Sequence, residues 1–149
     1  MSANKNRFSA EINICNNLRL YLSSEFWNVI QLVSPGGQAL ISYTYTDTVF
    51  QKKVTVFPDL ICIKNNNILI GEVKPKFSQA DEGKLLRLSK SEELPNFLKT
   101  IFSRRGINID VPFNIRTLLI HADPKPPESK VDQLVLGSDL NFSFKFHIE

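Results

Sequence analysis

Two apolar runs separated by a short asparagine tract constrain this chain more than any other feature. The first reads Val54-Thr55-Val56-Phe57-Pro58-Asp59-Leu60-Ile61-Cys62-Ile63, and Lys64 follows it. After Asn65-Asn66-Asn67 the second reads Ile68-Leu69-Ile70-Gly71-Glu72-Val73-Lys74. β-Branched residues suit a pleated, half-buried backbone, and asparagine tolerates the left-handed conformation that tight turns demand. The pattern predicts a β-hairpin. Asp59, Glu72 and Lys74 are its unusual members, because they sit in strands that are otherwise apolar on both faces. Ionisable groups are costly to bury there unless they pair or bind a cation.

Register decides whether these three groups meet. A two-residue turn at Asn65-Asn66 sets Lys64 opposite Asn67, Ile63 opposite Ile68, Ile61 opposite Ile70 and Asp59 opposite Glu72. Directly opposed side chains share a sheet face, with Cβ atoms about 4.5–5.5 Å apart. Lys74, two residues beyond Glu72, points to that face too. A three-residue turn would separate the carboxylates unless a bulge restored the parity. Pro58, which cannot donate to a ladder, is the residue that could supply one.

The remaining segments place this hairpin in a larger unit. Arg7 to Ser24 is helical in pattern, with Cys15, Leu18 and Leu22 on one face. Phe26 to Val33 is a predicted strand, ended by Ser34-Pro35-Gly36-Gly37, which reads as a turn. Ala39 to Tyr45 adds a short strand. Ser78 to about Arg105 is predicted helical, with Asp81 and Glu82 in its first turn and Arg104 and Arg105 at its end, an order that complements a helix dipole. Pro95 is expected to divide that stretch, with Ser91 capping the second helix. Ile115 to Ile120 is a buried-type strand, Asp123 to Glu128 a proline-rich loop, and Asn141 to Ile148 a final strand. The expectation is one α/β domain over residues 1–149, with helices on both sides of a mixed sheet.

Composition agrees with a single packed core: hydrophobic residues make up 42% of the 149 and charged residues 22%. It excludes a disordered chain, a collagen-like repeat and a disulfide-scaffolded miniprotein. No apolar run approaches the roughly 20 residues of a membrane span, and the polar start from Met1 to Arg7 carries no secretory signal. Cys15 and Cys62 lie inside apolar segments and read as small buried hydrophobes of a reducing compartment. The location expected is the cytoplasm, with no membrane partner. A net charge of +3 leaves nucleic acid open as a partner without pointing to it.

Paired carboxylates are the hard oxygen ligands that Mg²⁺ prefers, and a neighbouring lysine can orient an attacking water and offset phosphate charge. Metal-assisted phosphodiester hydrolysis uses all three groups. Pro58-Asp59, twelve intervening residues, then Glu72-Val73-Lys74 resembles the signature of the PD-(D/E)XK nuclease superfamily. That is the restriction-endonuclease-like fold, to which restriction endonucleases and Holliday junction resolvases belong. Its core order, αβββαβ, is similar to the order read here, over roughly residues 7–122. Ala10-Glu11, followed by Leu18 and Phe26, is similar to the resolvase pattern, and Glu11 shares the inward stripe of Cys15 and Leu18. The resemblance implies a DNA endonuclease in which Asp59, Glu72, the Val73 carbonyl and Glu11 hold Mg²⁺, with Mn²⁺ able to substitute. Lys74 would position the water, and cleavage would leave a 5′-phosphate. It further implies a homodimer where both strands are cut, or a place in a larger nucleoprotein complex.

Other readings of the same residues stand beside this one. A cross-strand ion pair would also place Asp59, Glu72 and Lys74 together. Glu11 near a helix start is favourable for dipole reasons alone, and Glu25 competes for its role. Lys76, just past the second run, is the foremost candidate for phosphate contact; Lys53, Arg104 and Arg105 are further candidates. Lys84 and the other basic residues read as solvated surface. His121 and His147 have no zinc-spaced partner and read as structural. The rival function is a nucleic-acid-binding or assembly subunit that keeps the fold without turnover.

Overall fold

The computed structural model describes residues 3–109 and 112–147. The elements in order are α1 (Ala3–Ser24), β1 (Asn28–Leu32), β2 (Tyr43–Asp47), β3 (Lys52–Val56), β4 (Leu60–Lys64), β5 (Asn67–Val73), α2 (Gln79–Ser89), α3 (Leu94–Ser103), β6 (Asn114–His121), β7 (Asp132–Leu136) and β8 (Phe142–Lys145). Six strands form one mixed sheet in the order β1-β4-β5-β6-β7-β8, and β2 and β3 form a separate two-stranded ribbon. The chain is mixed α/β, as expected. Among the described residues no helix is long and apolar enough to cross a membrane.

The asparagine hairpin has the predicted register. Lys64 pairs with Asn67, Ile63 with Ile68 and Ile61 with Ile70, and Asn65 takes the left-handed conformation at φ 55°. The first apolar run, however, is not one strand. It breaks at Phe57-Pro58-Asp59, so that Val54 to Val56 belong to β3 and Leu60 onward to β4. Pro58 has no N–H for a ladder. Its carbonyl instead accepts from Gln31 Nε2 at 2.6 Å, and the Asp59 carbonyl accepts from Val33 N at 2.8 Å. The chain changes sheets at the proline.

Alternation along β5 sorts the core into two layers. Leu69 and Val73 face α1, where they pack with Cys15, Leu18 and Leu22. Ile68 and Ile70 face the other side, under Leu85, Leu88, Leu98 and Phe102 of α2 and α3. Glu72 and Lys74 continue the Ile68–Ile70 row, so both reach toward α2. Cys15 and Cys62 are buried and free, as small apolar residues would be.

Three details depart from the sequence expectation. Ser91 does not cap α3: Glu93 holds the cap position without a side-chain bond, and the Ser91 hydroxyl pairs with Tyr43 Oη. Pro95 does lie in the first turn of α3. β7 is a strand that the sequence pattern does not predict, and its polar residues Asp132 and Gln133 are both buried, with Asp132 on Arg116 and Gln133 on His121. The last strand is shorter, ending at Lys145, and Ile148 lies outside the described residues.

Gly71 lets β6 lie close beside the strand that carries Glu72. A Cβ there would meet the Leu118 carbonyl oxygen and Ile120 Cδ1, each at 2.9 Å. The backbone oxygen belongs to a buried ladder and cannot yield cheaply. Gly71→Ala is expected to destabilise the fold by about 1–3 kcal/mol, read as a lower urea midpoint at unchanged m-value.

Candidate functional site

The break at Pro58 turns Asp59 out of the ladder, which ends at the Leu60–Gly71 pair. Its carboxylate then crosses to the neighbouring strand, where Oδ2 accepts from Val73 N at 2.9 Å. Glu72, the residue before Val73, is 6% exposed. The two carboxyl groups are within hydrogen-bonding reach of each other. Asp59 and Glu72 therefore converge, as the register predicted, although by side-chain contact beyond the last ladder pair.

Burial, together with the charge of Asp59, pushes the Glu72 carboxyl up to about 7. Lys84 opposes that rise, with Nζ 2.9 Å from Glu72 Oε1. Lys74 Nζ instead lies 3.7 Å from Asp81 Oδ2 of α2. Two lysines and two carboxylates thus lace the end of β5 to α2.

A cavity of about 240 Å³ opens at this end of the sheet. Glu11, Cys15, Asp59, Glu72, Val73 and Lys74 line it, and the loop Ser34-Pro35-Gly36-Gly37 closes one wall. Glu11 arrives from α1 on the stripe that holds Cys15, while Glu25 is exposed beyond the far end of that helix and does not line the cavity. Cys15 is buried at this wall, and burial, then the charges of Asp59 and Glu11, push its thiol up to about 11.

Among the described residues, no three or more His, Cys, Asp or Glu side chains form a ready metal cage. The donor chemistry still suits a hard cation. Mg²⁺ is commonly held by one or two carboxylates, with water and phosphate oxygens completing the shell. Asp59 and Glu72 supply such a pair, and their mutual repulsion is what a divalent ion would relieve.

The structure does not gather the basic residues expected to touch nucleic acid. Lys76 is exposed in the turn after β5 and does not line the cavity. Lys53 is exposed on β3, in the separate ribbon. Arg104 and Arg105 close α3, and the chain then enters β6 beside the hairpin turn, where Asn114 N donates to the Asn66 carbonyl. That turn lies at the opposite end of β5 from Glu72, roughly 17 Å along the strand, and neither arginine lines the cavity. The Arg105 guanidinium donates to the Ile101 carbonyl at 3.3 Å, capping its own helix. Arg105 thus satisfies its own helix end, a contact that sequence position alone does not show.

Two site members escaped the sequence reading. Lys84 looked like solvated surface, yet its spacing of three from Asp81 places both on one helix face. The Gly36-Gly37 turn is also a cavity wall. His121 is structural as expected: it is fully buried, its Nδ1 accepts from Asp123 N at 3.0 Å, and its Nε2 therefore donates to Gln133 Oε1 at 2.7 Å.

No family model matches this chain, and neither does any curated protein or solved structure.

The raised Glu72 carboxyl has a defined sign in stability. Between its unfolded value near 4.5 and its folded value of about 7, the folded protein holds more protons, so its contribution is full below that range and is lost as pH rises through it. In EDTA, the unfolding free energy of the wild type is expected to fall by about 1–3 kcal/mol over that window, and Glu72→Gln to remove most of the slope. Urea titrations at a series of pH values read both.

Proposed function

We propose that this chain is a Mg²⁺-dependent DNA endonuclease of the PD-(D/E)XK, restriction-endonuclease-like type. The observation that carries the reading is the Asp59–Glu72 carboxylate pair, set on one cavity with Lys74 and Glu11. The topology supports it: helix α1, three antiparallel strands in the order β1-β4-β5, helix α2 and then parallel β6 follow the αβββαβ order of that fold. The β2–β3 ribbon is an insertion between the first two of those strands.

In this reading Asp59 and Glu72 hold the cation, with Glu11 approaching from α1 and the Val73 carbonyl available beside them. A bound Mg²⁺ supplies Lewis-acid stabilisation of charge developing on the scissile phosphate. Val73 N–H keeps Asp59 turned toward the cavity, so its orientation does not depend on the ligand. Lys74 places a positive charge at the cavity wall, where it can orient an attacking water and counter the phosphate. Asp81 holds that ammonium at the rim, leaving it 30% exposed and able to reach a substrate. One such site cuts one strand, so cleavage of a duplex calls for a homodimer or a larger complex. The rival is a silent subunit of the same fold, to which the engagement of Lys74 by Asp81 lends support.

Supercoiled plasmid, branched DNA and RNA, each with Mg²⁺ or EDTA, separate these readings. Wild type is expected to nick or cut DNA with Mg²⁺ only, and Asp59→Asn and Lys74→Ala to lose on the order of 10²–10³-fold in rate. Cutting that persists in Lys74→Ala would refute the assignment. Binding without cleavage would favour the silent subunit.

A further inference from the structure

Lys84 is placed on Glu72 with more care than a surface ion pair requires. Its helix is fixed at several points. Ser78 caps the start of α2 by accepting from Asp81 N at 3.2 Å, and Leu85 and Leu88 are buried against the sheet. On another side, Glu82 Oε2 accepts from Ser129 Oγ at 2.8 Å and from Lys130 N at 3.0 Å. These contacts set the rotation of the helix and place Lys84 on the face that meets Glu72. Its ammonium reaches the one carboxylate of the pair that is almost wholly buried, with side-chain exposures of 36% for Lys84 and 8% for Glu72.

Charge accounting within the cavity gives this contact a meaning. Asp59 and Glu72 bring two negative charges together, and Glu11 adds a third at the wall. Lys74 is occupied with Asp81. Among the described residues, Lys84 is the cation in direct contact with the pair, and it comes from a flexible, half-exposed side chain that can leave without moving the backbone.

We propose that Lys84 is a built-in counter-ion of the carboxylate pair, seated on Glu72 while no divalent cation is bound and given up when one binds. The inference rests on the metal-dependent reading above and adds a positioning residue to it. Lys84 keeps the empty site together, and the same contact weakens the grip of the site on its metal. A divalent ion must displace it or share the carboxylate with a like charge. At an effective dielectric typical of partly exposed sites, charges about 4 Å apart interact strongly enough for that competition to govern affinity.

The test uses the full chain and Mg²⁺ alone, with affinity read from the Mg²⁺ dependence of Tm. Measurements are repeated at about pH 8 and pH 9, because loss of Lys84 removes contacts that hold the Glu72 carboxyl down. Lys84→Met is expected to melt below wild type in EDTA yet to bind Mg²⁺ about tenfold more tightly. Lys84→Arg, which keeps the charge, is expected to stay within about threefold of wild type. Lys84→Gln repeats the neutral case with a polar side chain, should the methionine variant fold poorly. A merely structural lysine would lower Tm without tightening the metal. If wild type binds Mg²⁺ and the neutral variants bind it no more tightly, the counter-ion role is overturned while the nuclease reading survives. If neither wild type nor the variants respond to Mg²⁺, both fall.

Discussion

The Asp59 carboxylate bonded to Val73 N–H joins the loop that leaves Pro58 to the strand that carries Glu72. Everything at the site depends on that contact. Pro58 ends one ladder because it has no N–H, and the chain restarts in another sheet one residue after Asp59. At such a junction the backbone would otherwise leave donors unmet. Here the Asp59 side chain meets one, its carbonyl meets Val33 N–H, and Gln31 closes the gap from β1. The three strands that carry the site are thereby locked together beyond their last regular pairs.

The arrangement has an electrostatic cost. Two carboxyl groups share a poorly solvated position, and Glu72 in particular is raised by burial and by its neighbour. An apolar core needs no such pair, and a hydrophobic isostere would pack there more favourably. The protein offsets the strain with Lys84 of α2 rather than removing it. Perturbed, closely spaced ionisable groups of this kind tend to cluster at functional sites, and that tendency is what the proposed function draws on.

Much of this was legible along the chain, and particular residues show why. Ile63 and Ile68 flank a tract whose asparagine accepts positive φ, so the hairpin followed from local chemistry, and of the two turn lengths open to it the structure has the shorter. Glu11 could be assigned inward because Cys15, Leu18 and Leu22 repeat at helical spacing. Ser91 shows the limit. A serine ahead of a proline-started helix is a good cap by local rules, but Tyr43, 48 residues earlier, takes its hydroxyl. Asp132 and Gln133 hid a buried strand for the same reason, since their partners Arg116 and His121 are distant in sequence.

The sequence by itself determined the elements whose causes are local: the hairpin, the amphipathic first helix, and the parity that puts Glu72 and Lys74 on one face, while the structure chose the two-residue turn over a three-residue one. Only the tertiary structure decided which lysine meets which carboxylate. Side-chain parity says that Lys74 points toward α2, but not that Asp81 waits there. Nor does it say that Lys84 of the same helix, rather than Lys74, reaches Glu72. Those pairings depend on the rotation and height of α2 above the sheet, which are set by Leu85, Leu88 and the Glu82 contacts with the 129–130 loop. Charges on separate elements acquire partners only when packing brings the elements together, and packing is a property of the whole core.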